Sequence, residues 1–394
     1  MILNINKGPI PKTINLPPSK SYANRALIIA AQKSESVVID NLPKATDVTI
    51  LINALKEIGL NLEVMNDRIV FNNSFPQCEV SQVPTKVIEV GEGGTTARFL
   101  ASLLLRGKNS YILKLGSRLK ERPWDEFISF ANQYGASCSL TDDELFIQGP
   151  VHLPSELEVD CTRTTQYATG LALCFYESTK IIPVNLVASQ SYWEMSLRLI
   201  EDFKNLKKYT TPIDWSSASY SLAFAALNQE TFFPHLQMDP FQADAKFYTL
   251  LDSLGMLTQE KDGVKIHPKK VHQNIKMDVT DCLDLVPTLV YFLSYIDGTH
   301  ELIGVDNLVY KESDRLGESL RILEAFKVKH SVVGNTLSIK GEDVRCASKV
   351  DLVLPDDHRM VMSASLFMRH NSGGTVSPKE AVNKSYPEFF ELFN

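Results

Sequence analysis

Apolar and polar positions along the chain switch repeatedly between a helical and a strand period. Six segments open on small, hydroxyl-bearing or acidic residues and run into an apolar stretch. They are SKSYANRALIIAA from Ser19, GGTTARFLASLLL from Gly93, TTQYATGLALC from Thr164, SSASYSLAFAAL from Ser216, VPTLVYFLSY from Val286 and DDHRMVMSASLFM from Asp356. The pattern predicts helices capped at their starts. Short β-rich runs between them, such as SVVID, RIVF, SYILKL, ELFI and NTLSI, predict strands bounded by turn residues. Most of the six starts lie about 70 residues apart, with a shorter interval from the third to the fourth, as expected of one supersecondary unit used repeatedly. Six units split naturally into three and three. No low-complexity linker marks a boundary, so the divisions are expected at chain crossings near Pro17 and Pro212.

Composition narrows the class. The 394 residues are 44% hydrophobic and 22% charged, ordinary globular material with length for two or three domains. The apolar run from Leu285 to Ile296 is broken by Pro287, Thr288 and Ser294, short of the ~18 residues a membrane span needs. The N-terminus MILNINKGPI has no basic segment followed by an apolar stretch, so a cytoplasmic protein is expected. The six cysteines form no CxxC pair and read as reduced, packed thiols. His267 and His272 have no cysteine or acidic partner at a recognised ligand spacing, so no metal is expected. A net charge of −7 argues against a nucleic-acid surface and makes each local cluster of cations informative.

Such clusters sit at the helix starts. PPSKSYANRAL sets Lys20 beside capping hydroxyls, with Arg25 one turn inside on the side of Ser21, an arrangement suited to phosphate or carboxylate. A plain N-cap is the bland reading. GEGGTTARFL lets backbone amides approach a ligand and leaves Arg98 one turn in, but no Lys follows the last Gly, which disfavours an ATP-binding P-loop. RLKERPW gathers Arg118, Lys120 and Arg122; most charge runs are merely solvated. Asp284 precedes a buried-looking run. In YKESDRLGESLRIL, Glu312 and Arg315 are expected on one helical face, with Leu316, Leu320 and Leu323 on the apolar one. That pair is either a surface ion pair or a proton-transfer carboxylate beside an anion-binding Arg. DDHRM puts His358 and Arg359 at a helix start, and NKSYP supplies Lys384.

In order, SKSYANRAL, GEGGTTARFL, KERP, TTQ, SQSY, DWSSASY, DLVP, NLVYKESDR, DDHRM and NKSYP resemble the 5-enolpyruvylshikimate-3-phosphate synthase family from Lys20 to Pro387. The resemblance implies an α/β fold of the α+β type, with two lobes each of three βαβαββ-type units in an enolpyruvyl transferase-like inverse barrel. One lobe would be residues 18–212, the other 1–17 plus 213–394. It implies transfer of the carboxyvinyl group of phosphoenolpyruvate to shikimate 3-phosphate, by a monomer without cofactor, metal, membrane or nucleic-acid partner. Carried over by position, phosphoenolpyruvate would be held by Lys20, Gly94, Arg122, Gln166, Arg315, Arg359 and Lys384. Shikimate 3-phosphate would be held by Ser21, Arg25, Thr164, Thr165, Gln166, Ser189, Tyr192, Asp284, Asn307 and Lys311. Lys20, Asp284 and Glu312 would be catalytic, and the lobes would close on the substrates.

The chain departs from the family pattern in places. Thr164 and Thr165 stand for two usual serines, Glu92 for an Asn, Phe99 for a Pro and Gln190 for a common Lys. The stretch from Arg198 to Asp214 is short, so the third unit is expected to lack strands. The nearest rival is the sister transferase acting on UDP-N-acetylglucosamine, which would carry a cysteine before its RP dipeptide; Tyr111 to Pro123 has none. A non-catalytic ligand-binding relative is the rival of another class.

Overall fold

The computed structural model describes residues 1–81, 83–342 and 346–393. The six apolar segments are helices α1 (Lys20–Ala30), α2 (Gly94–Leu104), α3 (Gln166–Phe175), α4 (Trp215–Asn228), α5 (Val286–Ser294) and α6 (His358–His370). They divide between two compact units, Pro18–Pro212 with α1 to α3, and Met1–Pro17 plus Ile213–Asn394 with α4 to α6. The chain passes between units at Pro17–Pro18 and Pro212–Ile213.

Four of the six helices connect two parallel strands, and the other two each lead into a strand whose parallel partner comes from elsewhere in the chain. In the first unit 86–91 runs parallel to 110–115 across α2, and 156–160 to 180–184 across α3. In the second, 276–278 and 298–303 flank α5, and 350–353 and 374–377 flank α6. The remaining two crossovers are completed from distant sequence. Strand 208–210 lies parallel to 37–40 beside α1, and Thr13 bridges Phe232 in parallel beside α4.

Four of the six repeats, those of α1, α2, α4 and α5, add an outer helix and an antiparallel hairpin, giving the full βαβαββ pattern. The third adds helix Gln190–Phe203 but no hairpin among the described residues, because the short stretch after Arg198 supplies only 208–210, which joins the sheet of the first repeat. Among the described residues the sixth adds neither; strand 3–5 pairs with 374–377 instead.

The inner helices form the cores. α1, α2 and α3 pack against one another, as do α4, α5 and α6. Every residue of α5 and all but the last of α6 are buried, which explains why these segments are apolar around most of their circumference rather than on one stripe. Some of their buried hydroxyls are satisfied between the helices. Ser219 and Thr288 share a 2.7 Å hydroxyl bond, and Ser363 Oγ donates to Pro287 O at 2.7 Å. Gly170 lets α3 approach α2, since a Cβ there would lie 2.4 Å from Ser102 Oγ.

Helix Arg315–Ala325 differs from the sequence expectation. Its buried residues are Arg315, Ser319, Ile322 and Leu323, while Leu316 and Leu320 are half-buried. The helix is turned so that Arg315 faces inward onto acidic partners, and that buried network outweighs two leucines. Glu312 lies in the bend before the helix, and Asp314 caps it by accepting from Gly317 N at 3.0 Å.

Candidate active site

The unit of residues 213–393 gathers the acidic candidates around two guanidinium groups. Asp284, just before α5, receives Arg315 Nη1 at 2.7 Å on one oxygen and Arg359 Nη2 at 2.9 Å on the other, with Lys311 Nζ at 3.6 Å. Burial alone would raise the Asp284 pKa, but Arg359, Lys311 and Arg315 outweigh it and hold the carboxyl well below the ordinary range. Arg315, only 3% exposed, also donates Nε to Asp357 at 2.8 Å and lies 3.9 Å from Glu312. It is a buried hub rather than a surface ion pair.

Asp357 has two tasks. It caps α6 by accepting from Arg359 N at 3.0 Å, and it accepts from Ser313 Oγ at 2.9 Å beside Arg315. Glu312 contacts His358 Nδ1 at 3.1 Å, and Lys384 Nζ reaches the Asp356 carboxylate at 2.9 Å. Burial opposes the charge on Lys384, yet Glu312, Asp356 and Asp357 keep its pKa above the ordinary value. Asn307 is half-buried on the short helix Asp306–Tyr310 leading to Lys311.

Asp244, unmarked in the sequence reading, lies in the same unit. It is 1% exposed, accepts from Ser216 Oγ, and has its carboxyl pushed up to about 7 by burial and then by the negative charge of Asp284. Its only sequence signal is an Asp between alanines in FQADAKF. Glu312, Asp357 and His358 bring three potential metal-ligand atoms within 4.8 Å of one another, but Arg315 already balances the Asp357 charge there.

The unit of residues 18–212 holds the other candidates. Ser19 caps α1 by accepting from Tyr22 N, and Lys20 Nζ pairs with Asp47 at 2.9 Å. Arg25 donates to Ser196 Oγ at 2.7 Å, Ser21 O at 2.9 Å and Tyr192 O at 3.3 Å, which ties three phosphate-site candidates into one cluster. Its guanidinium stacks 5.3 Å over Phe99 and 5.6 Å over Tyr192, and burial lowers its pKa to about 10, leaving it charged at neutrality. Phe99 thus has a place here: it is the floor under Arg25.

At α2 and α3 the residues before the helix, Gly93 and Thr165, give no side-chain cap, although Thr164 takes the first amide of α3. Gly94 lies in close approach to both side chains: a Cβ there would lie 2.5 Å from Arg122 Nη1 and 3.1 Å from Gln166 Oε1, so the guanidinium would have to move. Gln166 is held by Arg98 Nη1 at 2.6 Å, and Arg98 lies 4.9 Å over the Tyr167 ring. Thr164 Oγ1 accepts from Gln166 N at 3.2 Å. Ser189 takes a left-handed backbone, φ +64°, just before helix Gln190–Phe203, whose first residue bonds Glu194 at 2.9 Å. Glu92 turns onto the Ser117 hydroxyl and the amides of Arg118 and Leu119.

The family model described as EPSP synthase (3-phosphoshikimate 1-carboxyvinyltransferase) matches residues 5–206 and 200–393. The chain belongs to the EPSP synthase family. Relatives named 3-phosphoshikimate 1-carboxyvinyltransferase include one from Syntrophobacter fumaroxidans, 28% identical over 96% of both chains. Another, from Methanococcoides burtonii, is 28% identical over 99% of this chain and 97% of its own. The EPSP synthase structure from Acinetobacter baumannii superposes with a TM-score of 0.80 at 18% identity, covering 99% of this chain and 97% of its own. The enolpyruvyl transferase NikO from Streptomyces tendae gives 0.75 at 14% identity over 100% and 96%. The EPSP synthase fold is therefore that of this chain. No helix among the described residues is long and apolar enough to cross a membrane.

Proposed function

We propose that this EPSP synthase family member transfers the carboxyvinyl group of phosphoenolpyruvate to the 5-hydroxyl of shikimate 3-phosphate, releasing phosphate, in aromatic amino acid biosynthesis. The observation that carries the reading is the match of both halves of the chain to that family, with relatives of the same name along nearly its whole length.

Phosphoenolpyruvate is held by Lys20, Gly94, Arg122 and Gln166 from one lobe and Arg315, Arg359 and Lys384 from the other. Arginine suits this task because its planar fork grips carboxylate or phosphate through paired bonds. Ser21, Arg25, Thr164, Thr165, Gln166, Ser189 and Tyr192, with Asp284, Asn307 and Lys311, hold shikimate 3-phosphate. The depressed pKa of Asp284 keeps it ionised, as a proton acceptor must be. It takes the proton as the 5-hydroxyl oxygen bonds to C2 of the enol, while Glu312 or Lys20 delivers a proton to C3. The same group, now deprotonated, then takes a proton from the C3 methyl, which restores the double bond as phosphate departs. The surrounding cations balance the phosphate and carboxylate charge throughout. The reading further makes the enzyme a cytosolic monomer that works without metal or organic cofactor; equilibrium sedimentation at twice the chain mass would overturn the monomer.

The deciding assay is phosphate release by purified protein given both substrates. Turnover supports the reading, and its absence with either substrate omitted adds specificity. Glu312→Gln should retain substrate binding and lose activity; undiminished turnover would remove Glu312 from the acid/base role.

A further inference from the structure

Two loops leave the ends of the neighbouring parallel strands 86–91 and 110–115. One carries Glu92 and Gly93 into α2; the other carries Arg118, Lys120 and Arg122. Their backbones meet where Gly116 N donates to Gly91 O at 2.8 Å. Beyond that point the Glu92 carboxylate joins them. Its Oε1 accepts from Ser117 Oγ at 3.2 Å, and its Oε2 from Arg118 N at 3.2 Å and Leu119 N at 2.9 Å. Residues 116–122 form a turn in which Lys120 N bonds Gly116 O at 3.0 Å and Arg122 N bonds Leu119 O at 3.2 Å. The amides of Arg118 and Leu119 are the open donors at the start of that turn, and Glu92 caps them from another loop. Gly116 makes room, since a Cβ there would lie 2.3 Å from Glu92 Cδ. Trp124 Nε1 donates to Leu119 O at 3.1 Å from the far side. At the end of the turn stands Arg122, against Gly94 and Gln166.

We propose that Glu92 is a positioning residue for phosphoenolpyruvate binding: its carboxylate clamps the 116–122 turn so that Arg122 is delivered to the start of α2. The proposal rests on the reading that Arg122 and Gly94 hold that substrate. A carboxylate this close to an anion site would by itself repel the ligand. Here its charge is spread over three donors, so the clamp outweighs the repulsion. The two effects have opposite signs, which makes them separable.

Phosphate-release kinetics on wild type, Glu92→Ala and Glu92→Gln decide between them. Glu92→Ala should raise the KM for phosphoenolpyruvate about tenfold, equivalent to about 1.4 kcal/mol, while kcat falls less than about threefold and the KM for shikimate 3-phosphate holds. Glu92→Gln, isosteric and still an acceptor, should raise that KM only about two- to threefold, because neutral bonds are weaker. It keeps the test open if the alanine variant folds poorly. A fall in KM in the glutamine variant would mean that repulsion dominates and would overturn the clamp. Hydrogen exchange at Arg118 and Leu119 supplies a readout independent of chemistry: both amides should exchange faster in Glu92→Ala, and unaltered exchange would also overturn it. Wild type that releases no phosphate, with faster exchange in the variant, would instead sink the substrate reading and leave the clamp standing.

Discussion

At the scale of single residues, the site is a problem of charge balance. Arg315 and Arg359 are both engaged with Asp284. Asp284→Asn should therefore lower kcat by about 10²- to 10⁴-fold as the proton acceptor is lost, without raising the KM for phosphoenolpyruvate, because two guanidinium groups lose a competing anion. A raised KM with kcat preserved in steady-state assays would contradict this. Asp244 gives a prediction in pH. Its folded pKa of about 7 lies above its ordinary value of 3.8, so the stability it contributes is fully present below about pH 4 and declines as pH rises to 7. The slope is on the order of 1 kcal/mol per pH unit, and Asp284 and Asp357, whose pKa values are lowered, add no slope in the upper part of that window. Asp244→Asn should flatten the fall in thermal stability between about pH 5 and 7. An unchanged slope would show that Asp244 does not titrate there. The two residues differed in legibility: Asp284 lay in a recognisable motif, whereas Asp244 acquires its raised pKa only when folding buries it within reach of the Asp284 charge.

At the scale of elements, the inner helices were readable because burial on nearly all sides leaves a continuous apolar signature, as in VPTLVYFLSY. Their contacts were not. Nothing in TTQYATGLALC says that Gly170 meets Ser102, yet this close approach predicts that Gly170→Ala destabilises the protein by about 1–3 kcal/mol through overpacking. Adding Ser102→Gly should recover part of the loss in thermal unfolding, and strictly additive effects would exclude the contact as the cause. Helix Arg315–Ala325 was misread for the complementary reason. Its leucines suggested an inward stripe, but the pairing of Arg315 with Asp284 and Asp357 fixed its rotation, a long-range constraint invisible to periodicity. The short third repeat, by contrast, was legible simply as missing length.

At the scale of the whole molecule, the residues proposed for phosphoenolpyruvate divide between the two units, and the proposed function expects the substrates to draw on both. Small-angle scattering should show compaction when both substrates are present, and an unaltered profile would remove closure from the mechanism. The repeat count could be read from spacing alone, but the way the repeats are completed could not. Strand 208–210 serves α1 from the far end of its own unit, while strand 3–5 and Thr13 serve α6 and α4 from the opposite end of the chain. Residues 18–212 should therefore fold when expressed alone, whereas 213–394 alone should show reduced stability by circular dichroism; equal stability would argue against the N-terminal strand as a structural part. The order of synthesis follows from the same topology. The first seventeen residues leave the ribosome long before their pairing partners exist, and an entire lobe is translated in the interval. Residues 12–14 can join Phe232 once α4 has been made, but residues 3–5 stay uncommitted until strand 374–377 has emerged, so that short strand is among the final pieces to be fixed.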